Sequence, residues 1–152
     1  MVRDYAARDL GAVVAVFRRS VHEIASRDYD PDQLEAWAPE SADPPAWSAR
    51  LTGGGAFVCL RDGRVVGFGR IDERGVVDLL YVDSDAQRTG VGRELMARMF
   101  SWAAGRRLRR LHAEVSLTAR PFFERMGFRV LRRQVVERQG ERLENYVMEC
   151  SR

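Results

Sequence analysis

The sequence predicts a mixed α/β domain with the element order β-α-α-β-β-β-α-β-α-β-β. Three observations carry that prediction. Apolar residues recur at helical spacing in two separate stretches, residues 10–24 and 91–102. Apolar runs broken by the turn pairs Asp62-Gly63 and Gln139-Gly140 read as two hairpins. Between these stretches, a strand-like run at 76–82 passes through "DAQRTGVGREL" (85–95) into a helix.

The elements follow in order. Val2–Tyr5 reads as a short strand. Asp9 is placed to cap a helix whose inward face is Leu10, Val13, Val14, Phe17, Val21 and Ile24, with Arg18 and His22 off that stripe. A short helix opens at Pro31 and stops before Pro39. Residues 40–55 read as loop with a helical turn around Trp47, closed by a triple-glycine turn. The first hairpin and a strand over Val76–Val82 come next. Val91, Leu95, Met99 and Trp102 mark one face of a helix ending at Gly105. "LHAEVS" (111–116) is a strand, and "TARPFFERMGF" a short helix with Thr118 at its cap and Gly127 at its close. Arg129–Glu137 and Arg142–Cys150 form the closing hairpin.

A chain of 152 residues suits one domain, 1–152, with its own core. Its 45% hydrophobic and 31% charged content is that of a globular protein. No run approaches the roughly 18 apolar residues of a membrane span. The charged start "MVRDYAARDL" lacks the apolar centre of a signal peptide, so a cytoplasmic protein without membrane contact is expected. Cys59 and Cys150 lie in apolar runs without metal-ligand spacing, so buried free thiols and no metal are expected. All 25 basic residues are arginine. The run "GRRLRRL" (105–111) could touch nucleic acid, but it reads better as a solvated helix end, so no nucleic-acid partner is expected.

The turn at Gly90 and Gly92 opens a helix, where unpaired N–H groups and the dipole favour an anion, commonly phosphate. A Walker loop needs GxxxxGK[ST], which is absent, and a dinucleotide fingerprint needs a third glycine where Leu95 stands. By itself the pair GxG admits a tight turn that binds nothing as readily as a phosphate site.

The surrounding residues narrow that choice. "VVDLLYVDSDAQRTGVGRELM" followed by "EVSLTARPFFERMGF" resembles the GNAT superfamily of acyl-CoA-dependent N-acetyltransferases, with Gln87 to Gly92 fitting its [QR]xxGxG/A turn. The similarity is closest over 76–128, and both ends of the chain resemble a YafP-like bacterial branch. It implies a mostly antiparallel central sheet of about six to seven strands, about four helices, and a V-shaped splay between the strands 76–82 and 111–116. It implies acetyl-CoA as cosubstrate and a small-molecule or peptide amine as acceptor. It also allows a homodimer through the last strands. Carried over, Leu80, Tyr81 and Val82 would meet the pantetheine arm and thioester. Gln87, Arg88, Thr89, Gly90, Val91, Gly92 and Arg93 would form the pyrophosphate loop. Ser116 stands where relatives often have Asn, which implies a weakened CoA contact there, and Phe123 joins the CoA-binding set. His22, Tyr29, Trp37 and Tyr146 fall among the elements that build the acceptor pocket, with exposed-helix or packing roles as their alternatives.

Acetyl transfer needs a base for the amine and a donor for the developing oxyanion. Asp78 is the sole charge in its apolar strand, and alternation sets it on one face with Val76, Leu80 and Val82. It is therefore the first base candidate, against a structural ion pair with arginine. Glu114 is the second, against a plain solvated residue. Many relatives carry a Tyr proton donor at the position of Phe123, where no donor exists here. Either the acid is dispensable, or Tyr81, Tyr146, Tyr29 or Ser116 replaces it. A CoA-binding regulatory module without turnover is the alternative function.

Overall fold

The computed structural model describes residues 1–39 and 43–152; the first residues of the loop expected over 40–55 lie outside them. Strand β1 (Val2–Asp4) leads into helix α1 (Leu10–Arg19), then α2 (Pro31–Trp37) and α3 (Pro44–Arg50). Strands β2 (Gly55–Arg61), β3 (Arg64–Ile71) and β4 (Val77–Val82) precede the long helix α4 (Val91–Gly105). Strand β5 (Arg110–Ser116), helix α5 (Arg120–Arg125) and the hairpin β6 (Arg129–Arg138) and β7 (Glu141–Ser151) complete the chain. Around Trp47 the chain forms a full helix rather than a single turn. Pro44 opens it, and Asp43 accepts from the Ala46 amide as its cap.

Two other expectations about helix ends are corrected. Asp9 does not cap α1. Its buried carboxylate accepts from the Ala6 amide and from Arg3 (2.8 and 2.9 Å), fixing the turn before the helix. The predicted single helix over 10–24 breaks at Arg19, and Ser20–Ile24 continues as a π turn, a form often found at functional sites. At α5 the Thr118 hydroxyl is spent on Asp28 (2.7 Å), and Ser116 Oγ instead accepts from the Ala119 amide.

The strands form two antiparallel sheets, β1-β2-β3-β4 and β5-β7-β6. Among the described residues the only β-bridge joining the two sheets is the parallel pair Val76↔His112, just before β4. Immediately beyond it, Ile71 pairs with Val77 while Arg70 pairs with Leu79. Asp78 is thus the extra residue of a β-bulge, which bends and twists a strand. Past the bulge β4 keeps β3 on one edge and leaves its other edge free. The strands therefore splay into a V.

Two apolar clusters hold the first sheet from opposite faces. Val66, Val77, Val91, Leu95, Met96 and Met99 pack α4 on one side, joined by β5 and Phe123. Val13, Val16, Phe17, Trp47, Val58, Phe68 and Leu79 pack α1 and α3 on the other. Fully burying an aliphatic or aromatic side chain of this kind contributes about 1.5–3 kcal/mol. Cys59 and Cys150 are buried free thiols, as their apolar settings predict. Among the described residues, no helix is long and apolar enough to cross a membrane.

Candidate active site

The splay encloses a continuous cavity of about 1520 Å³. One end is lined by Gln87, Arg88, Gly90 to Arg93, Phe122, Phe123 and Arg125. The middle is lined by Asp78 to Val82 on β4 and His112 to Ser116 on β5. Phe17, Tyr29, Trp37, Arg50, Arg138 and Leu143 line the other end.

The first end is built around the start of α4. Gly90 is its cap residue at φ +87, a conformation that glycine adopts at little cost, and a Cβ there would meet only open space. Arg88 also has positive φ (62°), so the backbone curls twice within three residues. The free N–H groups of a 15-residue helix open into the cavity beside it. Gly92 is small for a different reason than sequence suggests. A Cβ there would lie 3.1 Å from the Phe122 ring, so this glycine admits α5 against α4. The loop's base is fixed by Asp83. Its fully buried carboxylate is paired with both Arg19 nitrogens, and that hydrogen bonding holds it below the usual carboxylate range. Gln87 donates to the Val82 carbonyl (2.9 Å) and Thr89 to the Ala86 carbonyl (2.6 Å), so both side chains shape the loop. Sequence reasoning missed the Arg19–Asp83 pair, because nothing local marks partners 64 positions apart.

In the middle, the bulge overturns the predicted facing of Asp78. Leu80 and Val82 pack with the α4 cluster, whereas Leu79 lies in the α1 cluster. Asp78 turns away from Leu80, to Arg70 (3.0 Å) and the charge of Arg50. One carboxylate oxygen has no hydrogen-bond partner, and burial raises the group's pKa despite the two arginines. Glu114 is exposed on the β5 face that lines the cavity. Ser116 lines it too, with its oxygen already accepting from Ala119. Phe122 and Phe123 present edge-on rings (5.8 Å) and no proton. Phe123 is mostly core, edge-on to Phe128.

At the far end, aromatic rings meet. Phe17 and Tyr29 stand edge-on to Tyr81 and Trp37 (4.9 and 5.3 Å), and the Trp37 ring is also edge-on to Tyr81 (6.4 Å). Tyr81 thus faces the α1 side rather than the free strand edge. Tyr29 is only partly a pocket residue. Its hydroxyl donates to the Glu144 carbonyl and accepts from the Leu117 amide (3.0 Å). His22 and Tyr146 do not belong to the cavity lining. His22 Nε2 bonds the Ala38 carbonyl (2.7 Å), because the π turn rotates it toward the end of α2. The Tyr146 ring lies under Arg120 and near Arg133 on the hairpin. Trp47 is core, edge-on to Phe17.

Residues 25–150 match the family model described as an acetyltransferase (GNAT) domain. The chain belongs to the GNAT acetyltransferase family. It is therefore an acetyltransferase by family, and acetyl-CoA-dependent acetyl transfer is that family's general reaction. The GNAT chain is 33% identical over 148 residues to the uncharacterised N-acetyltransferase YafP of Escherichia coli (strain K12), covering 97% of this chain and 93% of YafP. A solved GCN5-related N-acetyltransferase from Rhodopseudomonas palustris is 30% identical with a TM-score of 0.96, covering 100% and 95% of the two chains. PaiA N-acetyltransferase from Thermoplasma acidophilum, solved in complex with coenzyme A, shares the fold at 16% identity and a TM-score of 0.77, covering 100% and 98%. The loop and splayed strands described above are thus parts of a GNAT fold. Among its described residues no cluster of His, Cys, Asp or Glu is placed to hold a metal ion.

Proposed function

We propose that this GNAT chain transfers an acetyl group from acetyl-CoA to a primary amine by direct attack, with both substrates held in the one cleft. The observation that carries this reading is the continuity of the cavity. It runs from the start of α4, along a free strand edge, to an aromatic pocket beside the half-buried Asp78 carboxylate. The residues present fit the donor. Gly90 leaves open space at the α4 start, and Arg88 and Arg93 are exposed beside it, in no ion pair among the described residues. Backbone N–H groups of 88–93 would hold the pyrophosphate. The unpaired edge of β4 at Leu80 to Val82 would bond the pantetheine amides as an added strand does. Bound acetyl-CoA supplies the acyl group as a thioester.

Asp78 takes the proton from the ammonium, directly or through water. Its raised pKa brings it closer to that task, and its unpartnered oxygen supplies the acceptor. Glu114 on the facing strand is the second candidate. A thiol leaving group of pKa about 8.5 departs without a dedicated acid, which accords with Phe123. The Tyr29 hydroxyl proton is committed to Glu144, leaving Tyr81 and Ser116 as hydroxyls that line the cleft. The whole chain acts as one catalytic domain in the cytoplasm. Phe123 also favours one second reading, a CoA-binding regulatory module without turnover.

Calorimetry with CoA and acetyl-CoA, followed by a free-thiol release assay over an amine panel, tests both. Binding plus amine-dependent thiol release is expected. Binding without release selects the regulatory module, and no binding at millimolar CoA defeats both.

A further inference from the structure

The acceptor end of the cavity carries more positive charge than its own carboxylates neutralise. Arg50, at the end of α3, and Arg138, at the end of β6, are exposed and both line the cavity. Among the described residues neither is in an ion pair. Arg50 lies over the Trp47 ring (5.0 Å), and Arg138 donates only to the neighbouring Glu137 carbonyl (3.0 Å). Both fields reach the Tyr81 hydroxyl. The carboxylates at this end are differently engaged. Asp78 is paired with Arg70, Asp28 accepts from Thr118, and Glu144 is paired with Arg133. Glu114 remains, one β7 residue away from Arg132, which is in no ion pair among the described residues, since Val147 is the register partner of both.

We propose that Arg50 and Arg138 select an acceptor amine that carries a carboxylate, of the class of amino acids with aromatic or apolar side chains. This rests on the acetyltransferase reading above. The apolar part fits against Phe17, Trp37 and Tyr81, whose rings meet at 4.9 and 6.4 Å. The carboxylate meets two guanidiniums suited to bidentate pairing. The amine is left to Asp78, whose free oxygen is otherwise unmatched. A polyamine would bring further positive charge to two unpaired arginines and is disfavoured by the same field.

The test compares matched pairs in the thiol-release assay: phenylalanine with phenethylamine, tryptophan with tryptamine, leucine with isoamylamine, and spermidine as the cationic control. Each carboxylated member is expected to exceed its decarboxylated partner at least tenfold in kcat/KM. Arg50→Gln and Arg138→Gln should each raise KM for the carboxylated member with a smaller change in kcat, and the double variant should abolish the preference. The thermal midpoint of each variant checks folding. Equal or reversed preference overturns the proposal, as does a preference that survives both substitutions or a panel that is never acetylated although acetyl-CoA binds. Failure of acetyl-CoA to bind overturns instead the reading on which it rests.

Discussion

Asp78 shows how one residue's role depends on its strand's irregularity. The sequence marks it as a charge in an apolar run, and the bulge decides which face receives it. It points to the α1 side, bonded to Arg70 through one oxygen, with the other buried and without a hydrogen-bond partner. Asp78→Asn is expected to lower turnover by about 10²-fold or more at neutral pH, where the base is needed. The loss should shrink at alkaline pH, as the free amine becomes abundant. The acid limb set by the raised carboxylate pKa should disappear from the pH–rate profile; an unchanged profile would remove Asp78 from the reaction. Asp83 behaves in the opposite sense. Its folded pKa is lowered by Arg19, so its stabilisation is present above the unfolded value near 3.9 and is lost as pH falls through the folded value. With Arg19 partly exposed, Asp83→Asn should cost about 2 kcal/mol near pH 7, and less at pH 3, by denaturant titration.

Among the elements, α4 and the loop before it were the most legible, because a strand, a glycine turn and a helical apolar face all lie within one continuous stretch. The two glycines nevertheless differ. Gly90 serves the backbone conformation and the open anion site, while Gly92 serves the packing of α5. A Gly92→Ala variant should therefore weaken CoA binding through displacement of Phe122, by about tenfold on the scale of modest overpacking. Adding Phe122→Leu should restore much of that affinity in calorimetry. If the double variant binds no better than Gly92→Ala alone, the contact with Phe122 is not the reason for the glycine. Less legible was the break in the first helix. Its apolar spacing continues to Ile24, but the π turn at Ser20–Ile24 carries His22 to the Ala38 carbonyl, and no residue pattern announces that extra residue.

Across the whole molecule, the V stands because the two sheets share one β-bridge and are tied again at the opposite end by Tyr29. Its hydroxyl joins Leu117 to Glu144, just past the paired residues Ser116 and Asn145, while its ring sits in the α1 cluster. Tyr29→Phe leaves both backbone groups unmatched and should cost about 1–3 kcal/mol, lowering the thermal midpoint by about 2–4 °C per kcal/mol. Burial also raises the Tyr29 and Tyr81 phenols above their ordinary value near 10. A raised folded pKa means stability falls as pH climbs through that value. The absence of lysine clears this window of the usual competing titration. Wild-type stability should decline above about pH 10, and Tyr29→Phe should flatten the decline in alkaline denaturation monitored by tyrosinate absorbance.

The sequence by itself determined the order of the strands and of most helices, the glycine turn that opens α4 and the GNAT resemblance, because each rests on contiguous residues whose spacing is read directly. Only the tertiary structure decided the composition of the far end of the cavity. Phe17, Arg50, Asp78 and Arg138 come from four separate elements and converge only once the sheets have splayed. It also separated Tyr29 and Trp37, which line that end, from His22 and Tyr146, which do not. The physical reason is local backbone irregularity, a bulge in β4 and a π turn after α1. Each shifts side chains by one residue, which is enough to turn a side chain from one face to the other.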